Sequence, residues 1–211
     1  MKYKKIKKNL SQIYDDLAVS WGSEAADKWG LDSLKKFAKM VRENGGFRVL
    51  DLGCGSGVQS KQLLEEGLEV VGLDLSQKMI EEAEKKISKA KFIVGDMTKM
   101  PFTSTSFDGI YARASLLHVP KELMPKALES ILKILKSKGI LYLAVKKGEG
   151  EGEVKEEKYG KRVKRFFSFF GEEEMGKLLD KAGFKIIDMS SEVKVKGSKT
   201  VWIEVFARKV N

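Results

Sequence analysis

Three glycines at alternate positions, Gly53, Gly55 and Gly57, follow the apolar run Val49-Leu50-Asp51-Leu52. A short apolar run that breaks into glycines and restarts as a helix, here over Val58–Glu66, reads as a buried parallel strand, a tight turn and a helix. Glycine in the turn lets a ligand press on main-chain N–H groups with no Cβ in the way. Such a turn at a helix N-terminus usually welcomes phosphate, but Asp51 places a fixed negative charge beside it. That charge suits a ligand carrying positive charge. The dinucleotide fingerprint G-x-G-x-x-G does not match, because the third glycine comes one residue early. The phosphate loop needs Lys-Ser/Thr after its last glycine, where this chain has Val58-Gln59.

A second carboxylate, Asp74, ends the next apolar run, Glu69-Val70-Val71-Gly72-Leu73-Asp74. It lies about twenty residues beyond the turn, the spacing that brings a carboxylate to two ribose hydroxyls. Further along, Lys91-Phe92-Ile93-Val94 and Phe107–Ala112 read as third and fourth strands. The fourth ends at Arg113 and leads to His118, the one histidine of the chain. An open parallel sheet has its ligand crevice there. His118 is a candidate general base, since free imidazole titrates near pH 6.5. A structural place beside the ligand is the competing reading. Arg113, which does not deprotonate, reads as a contact to the cofactor or to a carboxylate. Cys54, inside the glycine turn, reads as a packing residue.

The segments V-L-D-L-G-C-G-S-G, V-V-G-L-D-L-S, V-G-D-M and S-F-D-G-I-Y together resemble the Rossmann-like class I S-adenosylmethionine-dependent methyltransferases of small-molecule type. The likeness runs from Phe47 to the C-terminus. It implies a cofactor, S-adenosyl-L-methionine, with S-adenosyl-L-homocysteine as product. Its binding set would be Asp51, Gly53, Cys54, Gly55, Gly57, Asp74, Leu75, Met79, Asp96, Met97 and Arg113. Within that set the amino acid part lies near Asp51, the ribose on Asp74 and the adenine near Asp96 and Met97, between Leu75 and Met79. Tyr14-Asp15-Asp16-Leu17-Ala18 followed by Trp21 is similar to a Y-D-x-x-A segment that folds over the cofactor in many members. The resemblance thus adds Tyr14 to His118 as a catalytic candidate. It gives Trp21, His118, Arg165 and Phe167 as acceptor-side residues. Packing of a helix onto the domain is the competing reading for Tyr14 and Trp21. After the fourth strand the chain has Ala112-Arg113-Ala114-Ser115, not the N/D-P-P-Y/F motif of base amino-methyltransferases.

The elements that position these residues follow from periodicity. Helical stripes cover Leu10–Asn44, with a break near Trp21-Gly22-Ser23 and with Ala25 and Trp29 on the second stripe. Ser76 caps a helix over Gln77–Ala90. Lys121–Leu135 is amphipathic. Ile140–Lys146 is the fifth strand. Lys147–Glu153, alternating Gly and Glu, reads as a flexible loop. Glu172–Ala182 is a helix, followed by a strand over Phe184–Asp188, a turn at Lys196–Lys199 and a reversed final strand from Val201. The expected fold is α/β, a doubly wound, three-layer αβα arrangement. Its seven-stranded, mostly parallel sheet carries an antiparallel C-terminal hairpin strand. Residues 1–46 form an N-terminal helical lid and 47–211 the Rossmann-like domain, as one globular unit.

With 211 residues, 42% hydrophobic and 33% charged, the chain has the composition of a globular protein. No stretch is apolar enough to span a bilayer, and the basic N-terminus has no h-region after it. The expectation is a cytoplasmic protein without membrane partners, monomeric or homodimeric. One cysteine and one histidine leave no ordinary zinc cluster. Abundant Lys and Glu, with few Asn and Gln, match a thermophilic composition. The net charge of +10 keeps tRNA or another RNA open as the methyl acceptor in place of a small molecule. A non-catalytic S-adenosylmethionine-binding protein and an NAD-linked enzyme are two further readings. The glycine spacing and the reversed last strand count against the NAD-linked enzyme.

Overall fold

The computed structural model describes residues 3–21, 30–194 and 200–210. β1 (Arg48–Leu52) is central to the sheet: Val49, Leu50 and Leu52 are fully buried, and Val49 and Leu50 pair on both sides. It lies between β2 (Glu69–Asp74) and β4 (Phe107–Arg113), with β3 (Lys91–Val94) outside β2 and β5 (Leu135–Lys146) outside β4. These five strands run parallel. β9 (Val201–Lys209) runs antiparallel to β5 and to β8 (Phe184–Lys194), giving the order β3-β2-β1-β4-β5-β9-β8. The expected seven-stranded mixed sheet with one reversed strand is the sheet observed. The expected Lys196–Lys199 turn lies outside the described residues.

The chain winds outward from β1 to β3, then returns to β4 and winds the other way. The crevice therefore opens at the carboxyl ends of β1 and β4, where the winding reverses. Parallel crossovers are right-handed, so α3 (Val58–Glu65) and α4 (Gln77–Lys86) cover one face, and α5 (Met124–Ile134) covers the other. α2 (Leu31–Glu43) packs beside α3, and α6 (Glu172–Lys181) beside α5, completing three layers. The helix expected over Lys121–Leu135 begins as a 3-10 turn at Lys121–Leu123, and Pro125 enters in the first turn of α5. The helix expected to reach Ala90 stops at Lys86, where Ile87 turns extended and is buried.

The N-terminal helices do two different things. α2 contributes Leu34, Phe37, Ala38 and Val41 to the main core, with Phe37 against Tyr111 of β4. α1 (Tyr3–Leu17) lies across the carboxyl ends of the strands, where Ile6 and Leu10 pack with Phe166 and with Leu75. Ala25, Trp29 and the Gly22-Ser23 part of the break lie outside the described residues.

The Gly/Glu segment is ordered. Glu151–Lys158 forms β6, paired residue for residue with β7 (Lys161–Ser168) in a separate two-stranded ribbon. Periodicity misses β6 because it brings charge to the pairing: Glu153 pairs with Lys164 at 2.5 Å and Glu156 with Arg165 at 2.6 Å. The apolar burial comes from Phe166 and Phe167 on β7. Tyr159 and Gly160 have φ of 50° and 72°, the two positive values of a type I′ hairpin turn.

At the opposite end of the sheet, Lys185 of β8 stands directly across from Arg208 of β9, beside Lys138 and Lys209 in a basic depression. Like charges in directly opposed positions are destabilising. Arg208→Glu is expected to raise stability by about 0.5 kcal/mol, read as a higher urea midpoint with unchanged m-value.

Candidate active site

The turn after β1 is held from below. The N–H groups of Gly53 and Cys54 donate to the Leu73 carbonyl at 2.7 and 3.1 Å, tying it to β2. Gly53 has φ of 81°, and a Cβ there would lie 2.3 Å from that of Ser115. At Gly55 the missing Cβ would face the Trp21 indole nitrogen at 3.3 Å and Met79 sulfur at 4.0 Å. Cys54 is buried and its thiol is pushed up by burial, so it is inert packing.

Two carboxylates flank this turn. Asp51 is buried and accepts from the Ser60 hydroxyl at 2.6 Å. Burial pushes its carboxyl up to about 7; Asp74 adds to the shift, while Ser60 and Arg113 oppose it. Asp74 accepts one N–H on each oxygen, from Gly55 and from Ser76, both at 2.9 Å. Burial raises it too, against those backbone donors. An ionised carboxylate has about four acceptor positions, so Asp74 keeps lone pairs for further donors. Asp96 is more fully used. It accepts from Thr98 N–H and Oγ1 (2.9 Å each), Tyr3 OH (3.0 Å) and Lys7 Nζ (2.5 Å). Burial alone would raise its pKa, but Lys7 and the other donors bring it below the usual range.

α1 closes over the turn through more than Tyr3 and Lys7. Asp15 accepts from the Ser76 hydroxyl at 2.5 Å and from the Lys78 N–H at 3.1 Å, so it reaches the first turn of α4. Ser56 Oγ donates to the Trp21 carbonyl at 3.0 Å.

A hydrogen-bonded chain runs from α1 to the β6–β7 ribbon. His118 Nδ1 is 2.7 Å from the Phe166 carbonyl, which only accepts, so the ring proton is on Nδ1. Nε2 then accepts from Tyr14 OH at 2.7 Å. Tyr14 oxygen accepts from Arg165 at 2.6 Å, and Arg165 Nε donates to Glu156 at 2.6 Å. Burial, with the Arg165 and Lys146 cations, lowers the His118 pKa to about 3 against the Phe166 carbonyl. The imidazole is thus neutral and held in one tautomer. Burial raises the Tyr14 phenol, against the pull of Arg165. Trp21 packs edge-on to Tyr14, with centroids 5.3 Å apart, and to Tyr159 at 5.7 Å.

The residues singled out in the sequence thus gather in one place. Asp51, Asp74, Cys54 and the three glycines surround the turn. Met79 is fully buried beneath it, and Leu75 packs against α1. Arg113 closes from β4, its guanidinium against Gly30 at the start of α2. Met97 packs against the core below Asp96. Tyr14, Trp21, His118, Arg165 and Phe167 form the adjoining cluster, with the His118 and Phe167 rings 4.9 Å apart. Sequence pattern does not single out Glu156, Lys146, Tyr3 or Lys7, and it gives Asp15 only as part of the Y-D-x-x-A segment. Of the first four, Lys146 alone carries a signal, its place at the carboxyl end of a parallel strand. No cluster of three or more metal-ligating side chains occurs among the described residues.

Residues 49–139 match the methyltransferase domain family. Demethylmenaquinone methyltransferase of Thermotoga maritima is 31% identical over 144 residues, 66% of this chain and 62% of that protein. Phosphoethanolamine N-methyltransferase 1 of Zea mays is 32% identical over 82% of this chain and 34% of its own length. The chain thus spans less than two thirds of these relatives. A crystal structure of Burkholderia thailandensis 1,6-didemethyltoxoflavin-N1-methyltransferase, with 1,6-didemethyltoxoflavin and S-adenosylhomocysteine bound, superposes with a TM-score of 0.76 at 20% identity. It covers all of this chain and 92% of that one. The magnesium protoporphyrin IX methyltransferase of Synechocystis gives 0.71 at 17% identity, with 96% of each chain covered. The chain has the Rossmann-like class I methyltransferase fold. Within that fold, residues 49–139 are the part that matches the methyltransferase domain family.

Proposed function

We propose that the protein is an S-adenosylmethionine-dependent methyltransferase acting on a small molecule. The observation that carries this is the pair of buried carboxylates, Asp51 and Asp74, on either side of a glycine turn at the point where the sheet reverses its winding. Both are pushed upward by burial and Asp51 further by its neighbour, so a cation at the turn is favoured over an anion. When bound, S-adenosylmethionine supplies a methyl carbon on cationic sulfur, ready for direct displacement by an acceptor's lone pair.

The chain's own residues hold and enclose. Asp74, fixed by Gly55 and Ser76, presents acceptors to ribose hydroxyls. The missing Cβ at Gly55 lets the Trp21 indole approach the turn closely. Asp96 would take the adenine amino group by exchanging it for Tyr3 or Lys7. α1 and the β6–β7 ribbon shut water out over the acceptor side. Holding reactants in line can account for roughly 7–11 kcal/mol of barrier reduction, so no strong base is required. His118 acts with Tyr14 as a neutral hydrogen-bonding pair that orients the acceptor. No described helix is long and apolar enough to cross a membrane, and we place the protein in the cytoplasm.

Calorimetric titration with S-adenosylhomocysteine tests the reading. The unaltered protein is expected to bind, and Asp74→Asn to lose about a hundredfold in affinity, as two hydrogen bonds to a charged group imply. Equal affinity in the variant would remove the ribose assignment, and no binding by the unaltered protein would remove the cofactor.

A further inference from the structure

Lys146 ends β5 at the carboxyl edge of the sheet, on the side that carries Tyr14 and His118. Its Nζ lies 3.6 Å from the centroid of Phe167, and the Arg165 guanidinium carbon lies 5.0 Å from the same ring. Two cations thus share one buried aromatic. The charged groups acting on Lys146 are Glu156, Arg165 and Lys158. The carboxylate among them, Glu156, is already hydrogen-bonded to Arg165. Among the described residues Lys146 itself has no carboxylate partner. Its compensation is the Phe167 ring, whose face attracts a cation.

Such an arrangement leaves the cations beside Phe167 in excess of the one carboxylate, Glu156. Partly burying an ammonium without an ion pair is costly, and burial moves Lys146 down to about 8. The surroundings add a shape. Arg165 also lies against the Tyr14 ring at 5.6 Å, Trp21 stands edge to face with Tyr14 and Tyr159, and Phe169 adjoins Phe167 at 6.2 Å. Aromatic walls with cations at one end suit a flat, conjugated molecule with a negative oxygen.

We propose that Lys146, with Arg165, is an oxyanion-recognition site, and that the methyl acceptor is a planar compound bound as its phenolate or enolate. This rests on the methyltransferase reading for the word acceptor, but the anion site can be tested without it. It also accounts for the weak basicity of His118: an acceptor that arrives ionised asks only to be oriented. Tyr14 and His118 then fix the ring, and the two cations hold the charge.

The probe is 4-nitrophenolate, compared with its uncharged methyl ether 4-nitroanisole, titrated into the full chain with and without S-adenosylhomocysteine. The phenolate is expected to bind at least about tenfold more tightly than the ether, as a charge-assisted contact implies. The bound phenol should ionise about one pH unit lower than in solution, read at the phenolate absorbance band. Lys146→Met should lose the tenfold preference and the ionisation shift while keeping its affinity for 4-nitroanisole and its melting temperature. Lys146→Arg should keep most of the preference. Equal binding of the two probes, no phenolate binding at millimolar concentration, or equal losses for both probes in Lys146→Met would overturn the proposal. If the anion preference holds but S-adenosylhomocysteine does not bind, the anion site stands and the methyl-transfer reading falls.

Discussion

Gly53→Ala is expected to destabilise the protein by roughly 2–5 kcal/mol, a large share of the about 5–15 kcal/mol that holds a typical domain folded. Two separate causes add. The φ of 81° is left-handed, which costs a residue with a Cβ about 1–2 kcal/mol. The new methyl would also stand 2.3 Å from the Ser115 Cβ, and forcing extra volume into a packed site costs about 1–3 kcal/mol. Retreat is blocked on both sides, because Gly53 and Cys54 are tied by hydrogen bonds to Leu73 of β2. Ser115 is itself buried at the start of the turn that leads to His118. The double variant Gly53→Ala/Ser115→Gly separates the causes. Removing the Ser115 side chain relieves the collision and should recover about half the loss, leaving the backbone strain. Chemical denaturation of the three proteins measures it, and full recovery or none in the double variant would contradict this division.

The glycine turn and its two carboxylates are legible in the sequence because their signal is local. Asp51 lies inside the motif, and Asp74 follows at the end of a strand whose length is readable from Val70, Val71 and Leu73. The reversed last strand is legible for the same reason. Contacts made by residues distant in sequence are not. Asp96 meets Tyr3 and Lys7 some ninety positions away, and nothing in the composition of α1 announces that it will. Arg165 and Tyr14 are 151 positions apart, and family resemblance points to both of them but not to the bond between them. Glu156 belongs to a strand that looks like a polar loop. A charged residue on a charged strand carries no periodic signal, and its role comes from the arginine it meets. Lys146 is the reverse case: its position at a strand end is readable, but its lack of a carboxylate partner is a property of the folded surroundings.

The two buried titrating groups of the site should pull stability in opposite directions with pH. His118 titrates near 6.5 when unfolded and near 3 in the fold. As pH falls below 6.5 the unfolded chain takes up a proton that the native state refuses. This contribution is therefore complete above 6.5 and is lost toward 3, at about 1.4 kcal/mol per pH unit. Asp51 goes the other way. Its carboxyl titrates near 3.8 unfolded and about 7 in the fold, so between those values the native state holds a proton that the unfolded chain has released. Stability from this source grows as pH falls from 7, with Asp74 acting in the same sense. From pH 6.5 to 4.5 the contributions of His118 and Asp51 nearly cancel in the unaltered protein. Variants expose them. In His118→Gln, whose amide can serve both the Phe166 carbonyl and Tyr14, Asp51 remains and stability should rise by about 2–3 kcal/mol over those two units as pH falls. In Asp51→Asn, whose amide oxygen can still accept from Ser60, stability should fall by about the same amount. Urea unfolding at pH 6.5, 5.5 and 4.5 would show the two variants diverging by roughly 5 kcal/mol. Parallel profiles would mean that the histidine is not held neutral by its burial and the cations beside it, and that the carboxyl at the glycine turn is not held protonated by its burial.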